Sequence, residues 1–220
     1  MAFIFGLSSQ KVRNQSGSVG KARRVRIRSS AVESGSELSE ELKQLFQRQK
    51  ERPIFDHDRF GGAWLAAENE LRFFSDEELT KIGNAAQRSS ASALRDGVES
   101  IVAESREKLL KEFPNITEEG GALYPPFRSE ACWRDFWHFT RVASYGCTID
   151  ESAFLNKDGL GILEEVYREL SVPLDAMLYG TRQLKVESQR SVNSEEEKAI
   201  VGRSFDTVIT GLSDFVKSSE

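Results

Sequence analysis

Histidine, cysteine and methionine are scarce, with two of each in 220 residues. Two histidines, His57 and His138, rule out a histidine-rich metal site and leave a Ser-His-Asp relay few ways to form. The two cysteines, Cys132 and Cys147, lack the paired spacing of a zinc site and the density of a secreted disulfide scaffold, which suits a reducing compartment. No run approaches the roughly 18–20 apolar residues that span a bilayer. No GxGxxG or Walker-type loop is present, and no stretch keeps up the period-2 alternation of a strand. The acidic pair Glu164-Glu165 and the run Glu195-Glu196-Glu197 read as solvated helix faces and cap chemistry. No constellation for catalysis emerges, and the chain is expected not to be an enzyme.

Charge is present but unevenly spread. Of the 30 Lys and Arg, seven (Lys11, Arg13, Lys21, Arg23, Arg24, Arg26, Arg28) fall in the first 30 residues, where there is no acid. The remaining 23, set against 35 Asp and Glu, leave the body at −12. An acidic body argues against nucleic acid as a partner, because that affinity depends on phosphate neutralisation by Lys and Arg. Residues 1–31 are Ser- and Arg-rich, which is the composition of an organelle transit peptide and also of a plain basic arm. Phe3 and Phe5 near the initiator, and the stretch Val25 to Ala31, resemble plastid-targeting peptides and their processing region. Residues 32–55 then form an acidic amphipathic extension, with Leu38, Leu42, Leu45 and Phe46 at helical spacing, and residues 56–220 form the body.

The body reads as all-α, with about seven or eight helices. Ser75 and Glu78 make a capping box opening a helix whose stripe is Leu79, Ile82, Ala85 and Ala86. A second pattern runs through Val98, Ile101, Val102, Ser105, Leu109 and Phe113 until Pro114 stops it. Residues 114–127, with Gly120-Gly121 and Pro125-Pro126, form a stiff loop. Cys132, Asp135, Phe136, Phe139, Val142 and Ala143 then recur at three- and four-residue steps up to Gly146. Leu160, Leu163, Tyr167 and Leu170 make the next stripe, followed by residues 174–186. The last helix spans 195–215, capped by Ser194 and Glu197, with Val201, Phe205, Val208 and Leu212 as its apolar face.

The densest chemistry is Ala131-Cys132-Trp133-Arg134-Asp135, just after the stiff loop. A cysteine near a helix N-terminus and beside an arginine is expected to favour its thiolate. Asp135 shares its helical face, and Trp133 with Trp137 makes an adjacent aromatic stripe. A thioether tether, a carboxylate for pyrrole N–H groups, a guanidinium for propionates and aromatic walls together suit a linear tetrapyrrole. On spacing alone, the cluster is equally that of a core cysteine beside a helix-capping ion pair, and buried free cysteine is common.

The order of motifs resembles the phycobiliproteins, especially the allophycocyanin α type. Gly120-Gly121-Ala122-Leu123-Tyr124, then Cys132 with Arg134-Asp135, resembles that family's GGNAY followed by ACLRD. Arg141, Tyr145 and Gly146 match what comes after, and Glu70 to Ser75 resembles EARYLS. Gly159-Leu160, Glu165-Val166-Tyr167, Leu170 and Val172-Pro173 resemble the helix written GL..L.E.Y.SLGVP, and Ser204-Phe205-Asp206 the closing helix. The resemblance spans residues 56–214. It implies a globin-like phycobiliprotein fold with an N-terminal helical extension that pairs with a β-type subunit. It further implies a light-harvesting role with a covalent bilin, phycocyanobilin, on Cys132, with Asp135 at its pyrrole nitrogens and Arg134 at a propionate. Trp133, Tyr124 and His138 would supply walls or hydrogen bonds. The implied partners are a β-type subunit and phycobilisome core or linker proteins, on the stromal side of the thylakoid membrane in a plastid. His138, where the family often has tyrosine, Pro125-Pro126 and the added arm depart from the pattern. A pigment-free scaffold or assembly factor is the alternative, and Cys147, which has no attachment-site counterpart, is expected to be a buried thiol.

Overall fold

The computed structural model describes residues 39–149 and 151–217. The expected transit segment 1–31 and residues 32–38 of the extension lie outside the described residues.

Among the described residues nine helical segments follow one another: α1 (Glu40–Glu51), α2 (His57–Phe60), α3 (Gly62–Asn69), α4 (Asp76–Leu79), α5 (Ala85–Glu112), α6 (Pro126–Cys147), α7 (Lys157–Glu169), α8 (Leu174–Arg190) and α9 (Glu195–Lys217). Among the described residues the only bridge-type pairing is isolated, between Phe55 and Leu155. The fold class is all-α, as the periodicity predicts.

Ser75 and Glu78 do form a capping box, but the helix they open ends at Leu79. Gly83, at φ +67°, turns the chain, and a second capping box from Asn84 and Gln87 starts α5. Ala85 and Ala86 thus belong to the long helix rather than to the one opened at Ser75. The buried stripe of α5 (Gln87, Ser90, Ala91, Leu94, Val98, Ile101, Ser105, Leu109) advances in steps of three and four along its 28 residues. Its small residues let α6 and α8 lie along it, and Lys108 of α5 donates to the buried Glu187 of α8.

Helix α6 is the axis of the molecule. Every residue from Phe139 to Cys147 is buried, so this half of the helix has no solvent face. Gly180 lets α8 cross it closely, since a Cβ there would lie 2.0 Å from Cζ of Phe136. The loop of residues 114–125 is held by its own backbone, with Leu123 N–H donating to Ile116 C=O at 2.8 Å.

The N-terminal elements fold back onto this body instead of projecting from it. Trp64 Nε1 of α3 donates to Thr148 Oγ1 at 3.1 Å, and the Tyr145 hydroxyl donates to the Arg72 carbonyl. Helix α1, inside the expected 32–55 extension, buries Leu42, Leu45, Phe46 and Gln49 and lies on α7. Each of its three apolar anchors contributes about 1.5–3 kcal/mol.

Candidate functional site: the Cys132 environment on α6

Pro126 occupies the first helical position of α6, where its missing N–H is harmless. The helix therefore begins inside the segment that the sequence reads as loop, and Cys132 sits in the second turn. The dipole's influence fades within the first turn. Burial then decides the chemistry. Cys132 has no exposed surface, and burial, with the neighbouring Asp135 charge adding to it, pushes its thiol well above the ordinary cysteine range. The expected activated thiolate is corrected: this sulfur is a protonated, enclosed thiol that donates to Met177 Sδ at 3.3 Å.

Asp135 does share the buried face with Cys132, as the spacing predicts. Its Oδ2 accepts the Tyr167 hydroxyl of α7 at 2.8 Å. Burial, then the Asp135 charge, raises the Tyr167 hydroxyl well above the usual tyrosine range, so it stays a donor. Arg134 is not brought to the thiol; it is exposed, and its charge reaches His138 one turn on. Trp133 is half-buried, tilted against Phe136 and capped by the Arg106 guanidinium at 5.1 Å from its ring centroid. Tyr124 is 42 % exposed at the end of the loop. His138 accepts at Nδ1 from Arg141 Nε at 3.3 Å, and burial, with the Arg141 and Arg134 charges adding to it, lowers its pKa to about 2. It is neutral, and it belongs to the Arg141 network rather than to the Cys132 cluster.

That network was not foreseen. Arg141, with no exposure, donates to Glu68 Oε2 of α3 at 2.5 Å and to the Tyr145 hydroxyl at 2.7 Å. A buried guanidinium needs a carboxyl partner and satisfied protons. The signal was an arginine in the middle of an otherwise uncharged stretch, Phe139 to Ala143. Tyr167 and Met177 were missed for the opposite reason. Both sit in apolar stripes, and only the rule that a buried tyrosine hydroxyl seeks a partner pointed beyond packing.

Cys147, four turns along the same helix, is also fully buried, as expected. Its thiol is pushed up to about 12 by burial, against the lowering effect of a hydrogen bond with Ser204 and the Arg203 charge. It lines a cleft of about 300 Å³ with Gly146, Phe154, Arg203 and Ser204. Two other clefts are lined by residues of α8 and α9 and by residues of α1 and α7, and none of the three touches Cys132 or Asp135. Among the described residues no group of three or more His, Cys, Asp or Glu could hold a metal.

The described body is all-helical, with a cysteine and an aspartate buried together on its central helix. The family model described as phycobilisome protein matches residues 63–212, and the chain belongs to that family. It is 30% identical over 152 residues to the allophycocyanin alpha chain of Synechocystis sp. (strain PCC 6714), covering 67% of this chain and 94% of that one. It is also 30% identical over 151 residues to the allophycocyanin alpha chain of Cyanophora paradoxa, covering 66% and 93%. The fold matches that of a far-red fluorescent biliprotein derived from an allophycocyanin F subunit of Chroococcidiopsis thermalis, at TM-score 0.52 and 19% identity over 64% of this chain and 99% of that one.

The family implies an open-chain tetrapyrrole. The residue types at Cys132, Arg134 and Asp135 suit one, but the space does not: the sulfur is enclosed, and the carboxyl oxygen already accepts a protein hydroxyl.

Proposed function

We propose that this chain is a structural subunit of the phycobilisome family that works by protein pairing and carries no covalent pigment in its folded state. The enclosure of the Cys132 sulfur between Met177 and the Asp135–Tyr167 pair carries this reading. A nucleophile must present a thiolate to its partner, and this thiol presents neither charge nor surface. The chain turns over no reaction. Its partners are a β-type subunit and core or linker proteins, at the stromal side of the thylakoid membrane in a plastid. The basic, acid-free residues 1–30 support that address.

A second reading keeps the light-harvesting role. It is favoured by Cys132, Arg134 and Asp135 standing on one helix with Trp133 alongside and Tyr124 at the surface. A bilin, when bound, would supply visible absorption. For it to be held by Cys132, Tyr167 and Met177 must first withdraw. Co-expression with a bilin-producing pathway and a β-type subunit, followed by denaturing electrophoresis and zinc-enhanced fluorescence, separates the two. The expected result is a co-purified β-type partner and no fluorescent band for this chain. A band that disappears in Cys132→Ala would establish the pigmented reading instead.

A further inference from the structure

The cleft of about 300 Å³ beside Cys147 opens where the end of α6 and the loop after it meet the start of α5 and the first turns of α9. Gln87 stands on its α5 side and is only 9 % exposed. The capping box decides how its amide is turned, because Oε1 must accept the Asn84 N–H, as it does at 2.7 Å. Nε2 is left on the other side of the amide and donates to nothing among the described residues. A donor this buried calls for an acceptor.

Across the cleft, α9 supplies two more donors. The Ser204 hydroxyl lies beside the Cys147 thiol on the floor. Gly146 keeps that floor open, since a Cβ there would lie 2.5 Å from Cζ of Phe154 and 3.1 Å from Oγ of Ser204. The Arg203 guanidinium, on an exposed residue at the mouth, has no ion pair with a described residue. The carboxylate in the lining, Glu151, is held instead by Arg59 of α2, which also donates to the Ala153 carbonyl at 2.6 Å. One edge of the cleft is therefore positive and rich in donors, while Phe154 and Ile200 make the rest apolar. A water takes roughly 30 Å³ in the liquid, so the space suits about ten non-hydrogen atoms.

We propose that this cleft binds a small free carboxylate with an apolar tail, its oxygens on Gln87, Ser204 and Arg203 and its tail against Phe154 and Ile200. The cleft does not touch Cys132 or Asp135, so the proposal holds whether or not pigment is bound there. The test adds octanoate, which is of the stated size, to the full chain and reads binding by calorimetry. Peptide mass spectrometry then follows how fast a disulfide reagent labels each cysteine. One octanoate per chain is expected, with slower labelling of Cys147 and no change at Cys132. Octanol, which has the same tail without the charge, should bind at least about tenfold more weakly. Gln87→Glu keeps the acceptor that caps α5 but sets a negative charge where the amide donated, and should abolish octanoate binding. Arg203→Gln should weaken it about tenfold. Octanoate that does not bind wild type, or that binds wild type and both variants alike, would overturn the site. So would octanol binding as tightly as octanoate, or binding that leaves the labelling of Cys147 unchanged.

Discussion

The two cysteines stand on the same helix, both fully buried, and differ in what surrounds them. Cys132 meets a thioether and an acid, while Cys147 meets a hydroxyl, an exposed arginine and a cleft. An acid beside a thiol opposes ionisation, and an arginine and a hydroxyl donor favour it. The thiol that motif spacing singles out is thus the more suppressed of the two. What motif order preserves across a family is the position of a group, and its reactivity belongs to the side chains that pack around it.

The largest effect should come from the buried ion pair that lies between the two cysteines on α6. Removing the guanidinium in Arg141→Ala leaves Glu68 buried opposite nothing and should cost about 3–5 kcal/mol of unfolding free energy in denaturant titrations. Both thiols should then react at similar rates with a disulfide reagent, erasing the contrast. Next comes the closed site itself. Tyr167→Phe deprives Asp135 of a buried donor and should cost about 1–3 kcal/mol. In wild type, Cys147 should be labelled before Cys132, as read from single Cys→Ala variants, and Tyr167→Phe should narrow that gap. A wild-type chain that labels Cys132 first would break the comparison at its root.

A smaller, pH-dependent effect should come from His138. Its folded pKa is held near 2 by burial, below the ordinary 6.5, so only the unfolded chain takes a proton as the pH falls below 6.5. This contribution to stability is complete above pH 6.5 and declines from there down towards 2. His138→Gln, which keeps an acceptor for Arg141, should flatten the stability curve between pH 6.5 and 5 while leaving the plateau in place. The Glu78 carboxyl acts over the lower part of the same range. The hydrogen bond from Arg72 holds it near 2, so its contribution is present above 4.5 and is lost as the pH falls towards 2. Glu78→Gln should shrink the fall in stability between pH 4.5 and 2 and leave the decline from 6.5 to 4.5 in place.

The capping boxes at Ser75 and Ser194, and the periodic stripes of α5, α6 and α9, are readable because they depend on neighbours within one turn. The early stop after Leu79 depended on Gly83, whose left-handed turn no apolar stripe reveals. Pro126 shows the same limit from the other side, since a proline pair can end a loop by starting a helix.

By itself the sequence determined the helical class, the family, the acidic body and the buried face that Cys132 shares with Asp135, because composition and spacing are properties of the chain alone. Only the tertiary structure decided that Tyr167 and Met177 close over that face, that Glu68 answers Arg141, and that the N-terminal helices lie back against the core. Those outcomes join residues 32 to 117 positions apart in sequence, and a thiol's protonation follows the solvent its neighbours exclude.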